Sequence, residues 1–389
     1  MGAGIAQVAA EAGLEVRLLD PVSGAYERAL DRIGGFLERR VAKGQLAAGE
    51  ADAALGRILE AGSVADLAAA DLVVEAIPED LDLKRDAFRR LDAAAGPNTV
   101  LATNTSSLAV RDIALAAAHP ERVVGMHFFN PVPLMALVEV IGAPGTAPSV
   151  VAATTALARQ LGKTPVEAAD TPGFIVNRVA RPYYLEALRI LGEGAAGVAA
   201  IDRALRDAGF RMGPFELIDA IGADVNLAVS HSVWEGFGRA PRYLPHPLQA
   251  VLVGAGRLGR KTGAGFYGYG TDGQRGEPWD GVASAVAPET RPPPLGAEAI
   301  TDRILATIVN EAASAVEDAT ARPEAIDTAM RLGTNWPNGP LAWGEERGLA
   351  TAVATLDHLA ASAPDARYAV VPLLRSLAGS GGSFFGAVR

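Results

Sequence analysis

A doubly wound α/β sheet followed by two all-helical domains is the fold class predicted by three features of this 389-residue sequence. Short apolar runs alternate with helical stretches up to about residue 168. From Thr171-Pro-Gly-Phe-Ile-Val-Asn-Arg178 onward the pattern is essentially helical, and one helical stretch occurs twice. Alternation of this kind points to parallel strands, because parallel neighbours need a crossover between them, usually a helix.

Composition narrows the class. The chain is 49% hydrophobic, rich in Ala and Gly, and carries a net charge of −10 without a charged tail. A nucleic-acid surface would want a basic stripe, which is absent. There are no cysteines, so disulfides, thiolate metal sites and cysteine nucleophiles are excluded. No apolar run is long enough for a membrane span and no signal peptide is visible, so a soluble cytoplasmic protein is expected.

In order, residues 2–12 (GAGIAQVAAEA) read as a helix of small residues and 15–20 (EVRLLD) as a strand ending in an acid. In a dinucleotide-binding (Rossmann-like) unit, a strand feeds G-x-G-x-x-G, then a helix, then a second strand ending in Asp or Glu. Gly2 fits the third glycine, where a missing side chain lets helix and strand pack closely. Asp20 fits the acid that accepts from the adenosine ribose, which favours NAD over NADP. No first strand and no first two glycines precede Gly2, so the sheet is expected to lack its first strand and the chain as written to bind NAD poorly.

Residues 22–60 read as helical and charged, with Arg39, Arg40 and Lys43 clustered before Gly44. A solvated face and an anion site both fit that cluster. Residues 71–77 (DLVVEAI) form a near-continuous apolar strand, as in a sheet covered on both faces. A helix follows from Pro78 to Ala95 with Lys84 in its first turns, and then a strand over 99–103. Asn104-Thr-Ser-Ser107 lies at that strand's carboxyl end, the usual place for ligand contacts in such sheets. Ser and Asn there also serve as helix caps.

Residues 126–139 (MHFFNPVPLMALVE) carry the strongest chemical signal. His127 ends one apolar run and Glu139 lies inside the next. Asn130-Pro131-Val132-Pro133 between them forces a turn, since proline cannot donate to a ladder and biases its predecessor toward extended backbone. Strand, turn, strand brings the two side chains together, and an imidazole held by a buried carboxylate suits a general base. On spacing alone, a capped core histidine beside an unrelated Glu is the commoner arrangement. A helix over 150–160 and a last strand over 163–167 close this region.

The repeat pairs Arg178–Asp202 with Arg303–Asp327, at an offset of 125. Each copy runs on into a Gly-Pro pair, Gly213-Pro214 and Gly339-Pro340, with one extra residue in the second copy. Two copies do not make a solenoid, so this is an internal duplication. The expected domains are 1–168, 169–270 and 297–389, with a Gly- and Pro-rich linker over 271–296.

Taken together, GAGIAQVAAEAG, VEAIPEDLDLK, ATNTSSL, HFFNPVPLMALVEVI, DTPGFIVNR, MGPFELID and GRKTGAGFY resemble the 3-hydroxyacyl-CoA dehydrogenases, in that family's order and spacing from Gly2 to about Tyr267. The second helical copy looks like the longer bacterial members, associated with 3-hydroxybutyryl-CoA or 3-hydroxyadipyl-CoA. The resemblance implies oxidation of a (3S)-3-hydroxyacyl-CoA to the 3-oxoacyl-CoA with NAD. His127 would be the general base, oriented by Glu139, and Ser106 and Asn177 would hold the reacting oxygen. Asp20, Glu79 and Lys84 would contact NAD, with Asn104 beside the nicotinamide. Asn130 would support the substrate end and Lys43 would meet CoA. No metal is implied. Arg181, Arg211 and Arg242 are unranked candidates for a terminal carboxylate of the acyl chain. Asp302 stands where Asn177 stands in the first copy, so the second copy is expected to be structural. Family members commonly dimerise through the first helical domain, and the second copy could cover that surface within one chain. The alternatives are a sugar-acid dehydrogenase on the same architecture, which would typically use a Lys base, and a non-catalytic member.

Overall fold

The computed structural model describes residues 1–279, 281, 292–363 and 365–386. They divide into two compact units, Met1–Thr171 and Pro172–Arg389.

In the first unit, α1 (Gly2–Glu11) leads to strand β1 (Val16–Leu18). A helical hairpin, α2 (Ala25–Ala42) and α3 (Ala48–Gly56), then leads to β2 (Ile58–Glu60). Gly44, at φ +67°, adopts the left-handed backbone that lets the chain reverse between the two helices. The strand at 58–60 corrects the expectation of helix up to Glu60. It is only three residues long, too short for a periodicity to show, and it pairs in parallel with β1, Val16 opposite Ile58.

The main sheet has five strands in sequential order: β3 (Leu72–Glu75), β4 (Val100–Thr103), β5 (Val123–Phe128), β6 (Leu137–Gly142) and β7 (Thr164–Ala169). All neighbours are parallel except β5 and β6, which form an antiparallel pair. Between the strands lie α4 (Leu81–Ala94), α5 (Val110–Ala114) and α6 (Pro148–Gln160). Asp80 caps α4 by accepting from the amides of Asp82 and Leu83. The short α5 was not anticipated. It passes so close to β5 that a Cβ at Gly125 would lie 2.9 Å from Val110 and 2.8 Å from Ile141.

The sheet is thus in two pieces, the β1–β2 pair and the five-stranded sheet, and α1 touches the cores of both. Ile5 and Val8 pack with Val124, Met126 and Val140, while Ala10 packs with Ile33, Leu37 and Ile58. All six residues of β5 are buried, as a strand covered on both faces requires.

The second unit holds both helical copies. The first comprises α7 (Val176–Val179), α8 (Arg181–Gly192), α9 (Val198–Asp207), α10 (Pro214–Ile221), α11 (Ala223–Gly236) and α12 (Pro247–Gly254). The second comprises α13 (Ala297–Glu317), α14 (Pro323–Thr334), α15 (Pro340–Arg347), α16 (Leu349–Ser362) and α17 (Pro372–Ser380). In each copy one buried aspartate caps the helix that opens on Gly-Pro. Asp202 accepts from the amides of Phe215 and Glu216, and Asp327 from those of Leu341 and Ala342. A Cβ on Gly213 or Gly339 would fall 2.3 Å or 2.1 Å from the capping aspartate, which is why the repeat needs glycine there.

The copies meet through a reciprocal set of bonds. Arg178 of the first donates to Glu311 of the second at 2.7 Å, and Arg303 of the second donates to Glu186 of the first at 2.6 Å. Tyr243 and Tyr368 donate to the same two carboxylates. They therefore lie in one compact unit, which begins at Pro172. The expected linker is shorter at its start, because β9 (Arg275–Pro278) pairs with β8 (Tyr267–Tyr269) as a hairpin. Residues 280 and 282–291 of that linker lie outside the described residues.

Candidate active site

The antiparallel register of β5 and β6 sets His127 directly opposite Glu139. Directly opposed residues on one face are close neighbours, so the pairing follows from the strand geometry. His127 Nδ1 lies 2.7 Å from Glu139 Oε2. Both side chains are buried, His127 at 5% and Glu139 at 0% exposure. A carboxylate at Nδ1 fixes the tautomer, with the proton on Nδ1 and the lone pair on Nε2. The Phe129 ring packs 4.5 Å from the imidazole and limits its rotation.

The loop after β5 includes Asn130, exposed and joined to Pro131 by a cis peptide bond. Lys163, which the sequence did not single out, is buried behind this loop and donates to the carbonyls of Val132 and Met135. A lysine before a strand gives no periodic signal, so it was not legible.

Asn104 ties two strand ends together. It follows β4, and its side-chain oxygen accepts from the Phe128 amide at 2.8 Å, next to His127. Beyond it, Thr105, Ser106 and Ser107 converge on Glu79, whose Oε1 accepts from Thr105 Oγ1 (2.7 Å), Ser106 N (2.8 Å) and Ser107 N (2.9 Å). The carboxyl of Glu79 is held below its ordinary range. Burial acts to raise it, and the Thr105 hydroxyl, the charge of Lys84 and the Ser106 and Ser107 donors outweigh that effect. Ser106 and Glu79 are therefore brought together.

Lys84 is buried beside Glu79. It is 1% exposed, donates to Glu75 Oε1 at 2.7 Å and lies 3.4 Å from Glu79 Oε2. Glu75 in turn accepts from Thr103. Lys84 is thus the internal counter-ion of two carboxylates. Glu75 was missed because one acid inside DLVVEAI reads as ordinary alternation; its clue is a lone carboxylate in a fully apolar strand.

The packing role expected of Gly2 also falls elsewhere. A Cβ at Gly2 would meet only ordinary contact, 3.9 Å from Ala76, whereas one at Gly4 would crowd Val132 at 3.0 Å. Asp20 is exposed just past β1, with one oxygen accepting from the Val22 amide. An exposed acid past one strand and half-buried hydroxyls past another suit a ribose and the rest of a dinucleotide at the carboxyl ends of the strands. The residues present therefore fit NAD. Lys43 is exposed at the end of α2 and, with Arg39, Arg40, Pro133 and Leu134, lines a cavity of about 660 Å³. Asn177 sits in α7 of the second unit, its backbone oxygen accepting from Arg181 at 2.9 Å. Among the described residues no His, Cys, Asp or Glu cluster could hold a metal ion, and no helix is long and apolar enough to cross a membrane.

A nucleotide-type α/β unit with a buried imidazole–carboxylate pair beside its strand ends defines an NAD-dependent alcohol dehydrogenase. Residues 1–171 match the NAD-binding domain model of 3-hydroxyacyl-CoA dehydrogenase, and residues 173–269 and 300–383 each match the C-terminal domain model. The second of those matches falls on the second helical copy. The chain is 39% identical to a 3-hydroxyadipyl-CoA dehydrogenase of Escherichia coli K12, covering 97% of this chain and 95% of that one. It is 42% identical to a probable 3-hydroxybutyryl-CoA dehydrogenase of Bacillus subtilis over 69% of this chain and 94% of that one. A crystal structure of an Escherichia coli K12 3-hydroxybutyryl-CoA dehydrogenase superposes with a TM-score of 0.89 at 38% identity, covering 98% and 97% of the two chains. The chain belongs to the 3-hydroxyacyl-CoA dehydrogenase family, NAD-dependent oxidoreductases of 3-hydroxyacyl-CoA thioesters.

Proposed function

We propose that His127 is the general base of this dehydrogenase, acting on the 3-hydroxyl of a 3-hydroxyacyl-CoA, with Glu139 stabilising the imidazolium that results. The observation that carries this is the buried 2.7 Å contact between His127 Nδ1 and Glu139. Nε2 takes the hydroxyl proton as the C3–H bond breaks and the 3-oxo group forms. NAD, when bound, accepts the hydride from C3. In the reverse direction the Nε2 proton returns to the ketone oxygen. Ser106 and Asn177 are assigned to holding that oxygen, a positioning effect. Asp20 and Glu79 are assigned to NAD, with Gly2 opening the helix whose N-terminus faces phosphate and Asn104 fixing the strand end beside the nicotinamide. Lys84 enters through Glu79. A His127→Gln variant is expected to lose about 10²–10⁴-fold in kcat for NADH formation from 3-hydroxybutyryl-CoA. Full activity in that variant rules the assignment out.

Two features bear on the substrate. The cavity beside Lys43 and Arg39 is assigned to the phosphates of CoA, because its Pro133–Leu134 wall belongs to the loop that follows His127 and carries Asn130. Arg181, Arg211 and Arg242 are all retained for a dicarboxylic chain: Arg211 is exposed, Arg242 lies 3.6 Å from Glu311, and Arg181 is buried and donates to Asn177 and Ser230. Rates on four-carbon, ten-carbon and dicarboxylic substrates separate these preferences. For assembly, the reciprocal Arg178 and Arg303 bonds favour the second copy as the partner of the first within one chain, over a homodimer built on that surface. A solution mass near the 40.1 kDa of a single chain is expected.

A further inference from the structure

Asn177 is assigned to the substrate oxygen, and its backbone carbonyl accepts from Arg181 of the same copy. It lies in α7, a helix of four residues, entered through two residues with left-handed backbone, Gly173 at φ +75° and Phe174 at φ +50°. Glycine adopts that conformation readily; phenylalanine does so only at a cost, and such a residue persists where its surroundings over-determine it. The turn folds tightly, since a Cβ on Gly173 would approach the Arg178 amide to 3.0 Å.

The next residue ties this segment to the second copy. The Arg178 side chain is wholly buried and reaches into the second copy. Nε donates to Glu311 at 2.7 Å, Nη1 to Thr320 at 2.8 Å, and Nη2 to Ser314 at 3.0 Å and to Asp318. The guanidinium also lies 4.7 Å over the Phe237 ring of its own copy. A planar fork with its donors committed on several sides fixes orientation as well as position. Glu311 is itself fixed by Tyr243, whose hydroxyl donates to it at 2.6 Å.

We propose that the second helical copy serves catalysis as a positioning element: Glu311, with Ser314, Asp318 and Thr320, clamps Arg178 and thereby sets the place of Asn177. Glu311 is a positioning residue and does not touch substrate. The inference rests on the assignment of Asn177 given above. The duplication supplies its own control. Arg303 makes the mirror-image bonds, to Glu186 (2.6 Å) and Glu193 (2.7 and 2.8 Å), but the residue before it is Asp302, which has no assigned role at the reacting oxygen. A purely structural function would make the two clamps equivalent; a positioning function would not.

The test uses the full chain with NAD and 3-hydroxybutyryl-CoA, measuring kcat, KM and the urea midpoint for Asn177→Ala, Glu311→Gln and Glu186→Gln. Misplacement of a positioning group by about an ångström can cost on the order of 10²-fold. Glu311→Gln is therefore expected to lower kcat by about 10- to 100-fold with KM within about threefold of its starting value. Glu186→Gln is expected to lower the urea midpoint comparably while kcat stays within about twofold. Thr320→Val, which deletes one bond to Arg178 and leaves the carboxylates, is expected to fold and to lower kcat less than Glu311→Gln. It carries the test if Glu311→Gln does not fold, through a kcat loss that Glu186→Gln lacks. If Asn177→Ala lowers kcat and the Arg178-side variants behave as Glu186→Gln does, the clamp is structural and the inference is overturned. If Asn177→Ala leaves kcat unchanged, the assignment of Asn177 itself fails, which is a separate result.

Discussion

Replacing Glu139 by Gln isolates what the carboxylate contributes beyond orienting the ring. Gln keeps the size and an oxygen that accepts from Nδ1, so the imidazole retains its place against Phe129, and only the charge is lost. The contact is 2.7 Å with both partners buried, so solvent screening is small. A hydrogen bond to a charged group contributes about 1.5–3 kcal/mol and a neutral one about 0.5–1.5 kcal/mol, so the charge accounts for roughly 1–2 kcal/mol. That energy is realised only once His127 is protonated, so it acts on the transition state and on the oxidised complex. The expected loss in kcat for alcohol oxidation is roughly 5- to 30-fold, at about 1.4 kcal/mol per tenfold. The assay is initial-rate NADH formation at saturating NAD and thioester, with circular dichroism to confirm the fold. Glu139→Ala should cost more, since it also releases the ring and leaves a cavity. A Glu139→Gln enzyme with wild-type kcat, or a KM effect alone, would refute the reasoning, because the carboxylate would then serve only packing.

Two further outcomes are expected. Lys43→Glu, alone or with Arg39→Glu, should raise KM for 3-hydroxybutyryl-CoA several-fold while leaving KM for a thioester lacking the nucleotide unchanged; equal effects on both would remove the cavity from the CoA assignment. The second concerns pH. Glu186 is held below the ordinary carboxylate range: burial opposes its charge, and Arg189 and Arg303 with their hydrogen bonds outweigh that. A depressed carboxyl contributes stability that is present above its unfolded value of about 4.3 and is lost as pH falls through its folded value. The gap in urea midpoint between wild type and Glu186→Gln should therefore hold from pH 7 down to about 4.5 and narrow below it. A gap independent of pH down to pH 3 would show that the pair contributes shape and not charge.

How much of this was legible depends on the range of each signal. The His127–Glu139 contact was legible as one of two arrangements that two apolar runs and a proline turn allow, and the antiparallel register decides between them. The Ile-Asp to Gly-Pro spacing could be read as a repeat, though its cause, an aspartate filling the space above a glycine, is visible only in three dimensions. The strand at Ile58 and the helix at Val110 were missed because neither is long enough to carry a period. The burial of Lys84 was not legible because sequence does not record it; Glu75 and Glu79, from outside its helix, both pair with it. The Arg178 clamp was beyond reach, since its partners lie more than 130 positions away in a copy that sequence alone treats as separate.

That seam has a consequence for how such a gene can change. Arg178 answers to Glu311, and Arg303 to Glu186, so each half supplies a counter-charge to the other, while Glu186 also pairs with Arg189 of its own half. Removing Glu311 takes from the buried Arg178 its fully buried partner, and breaking one side of such a pair costs on the order of 3–5 kcal/mol. A fragment bearing only the second half would carry Arg303 without Glu186 and Glu193, and Glu311 without Arg178 and Arg242. The second half is the more dependent of the two.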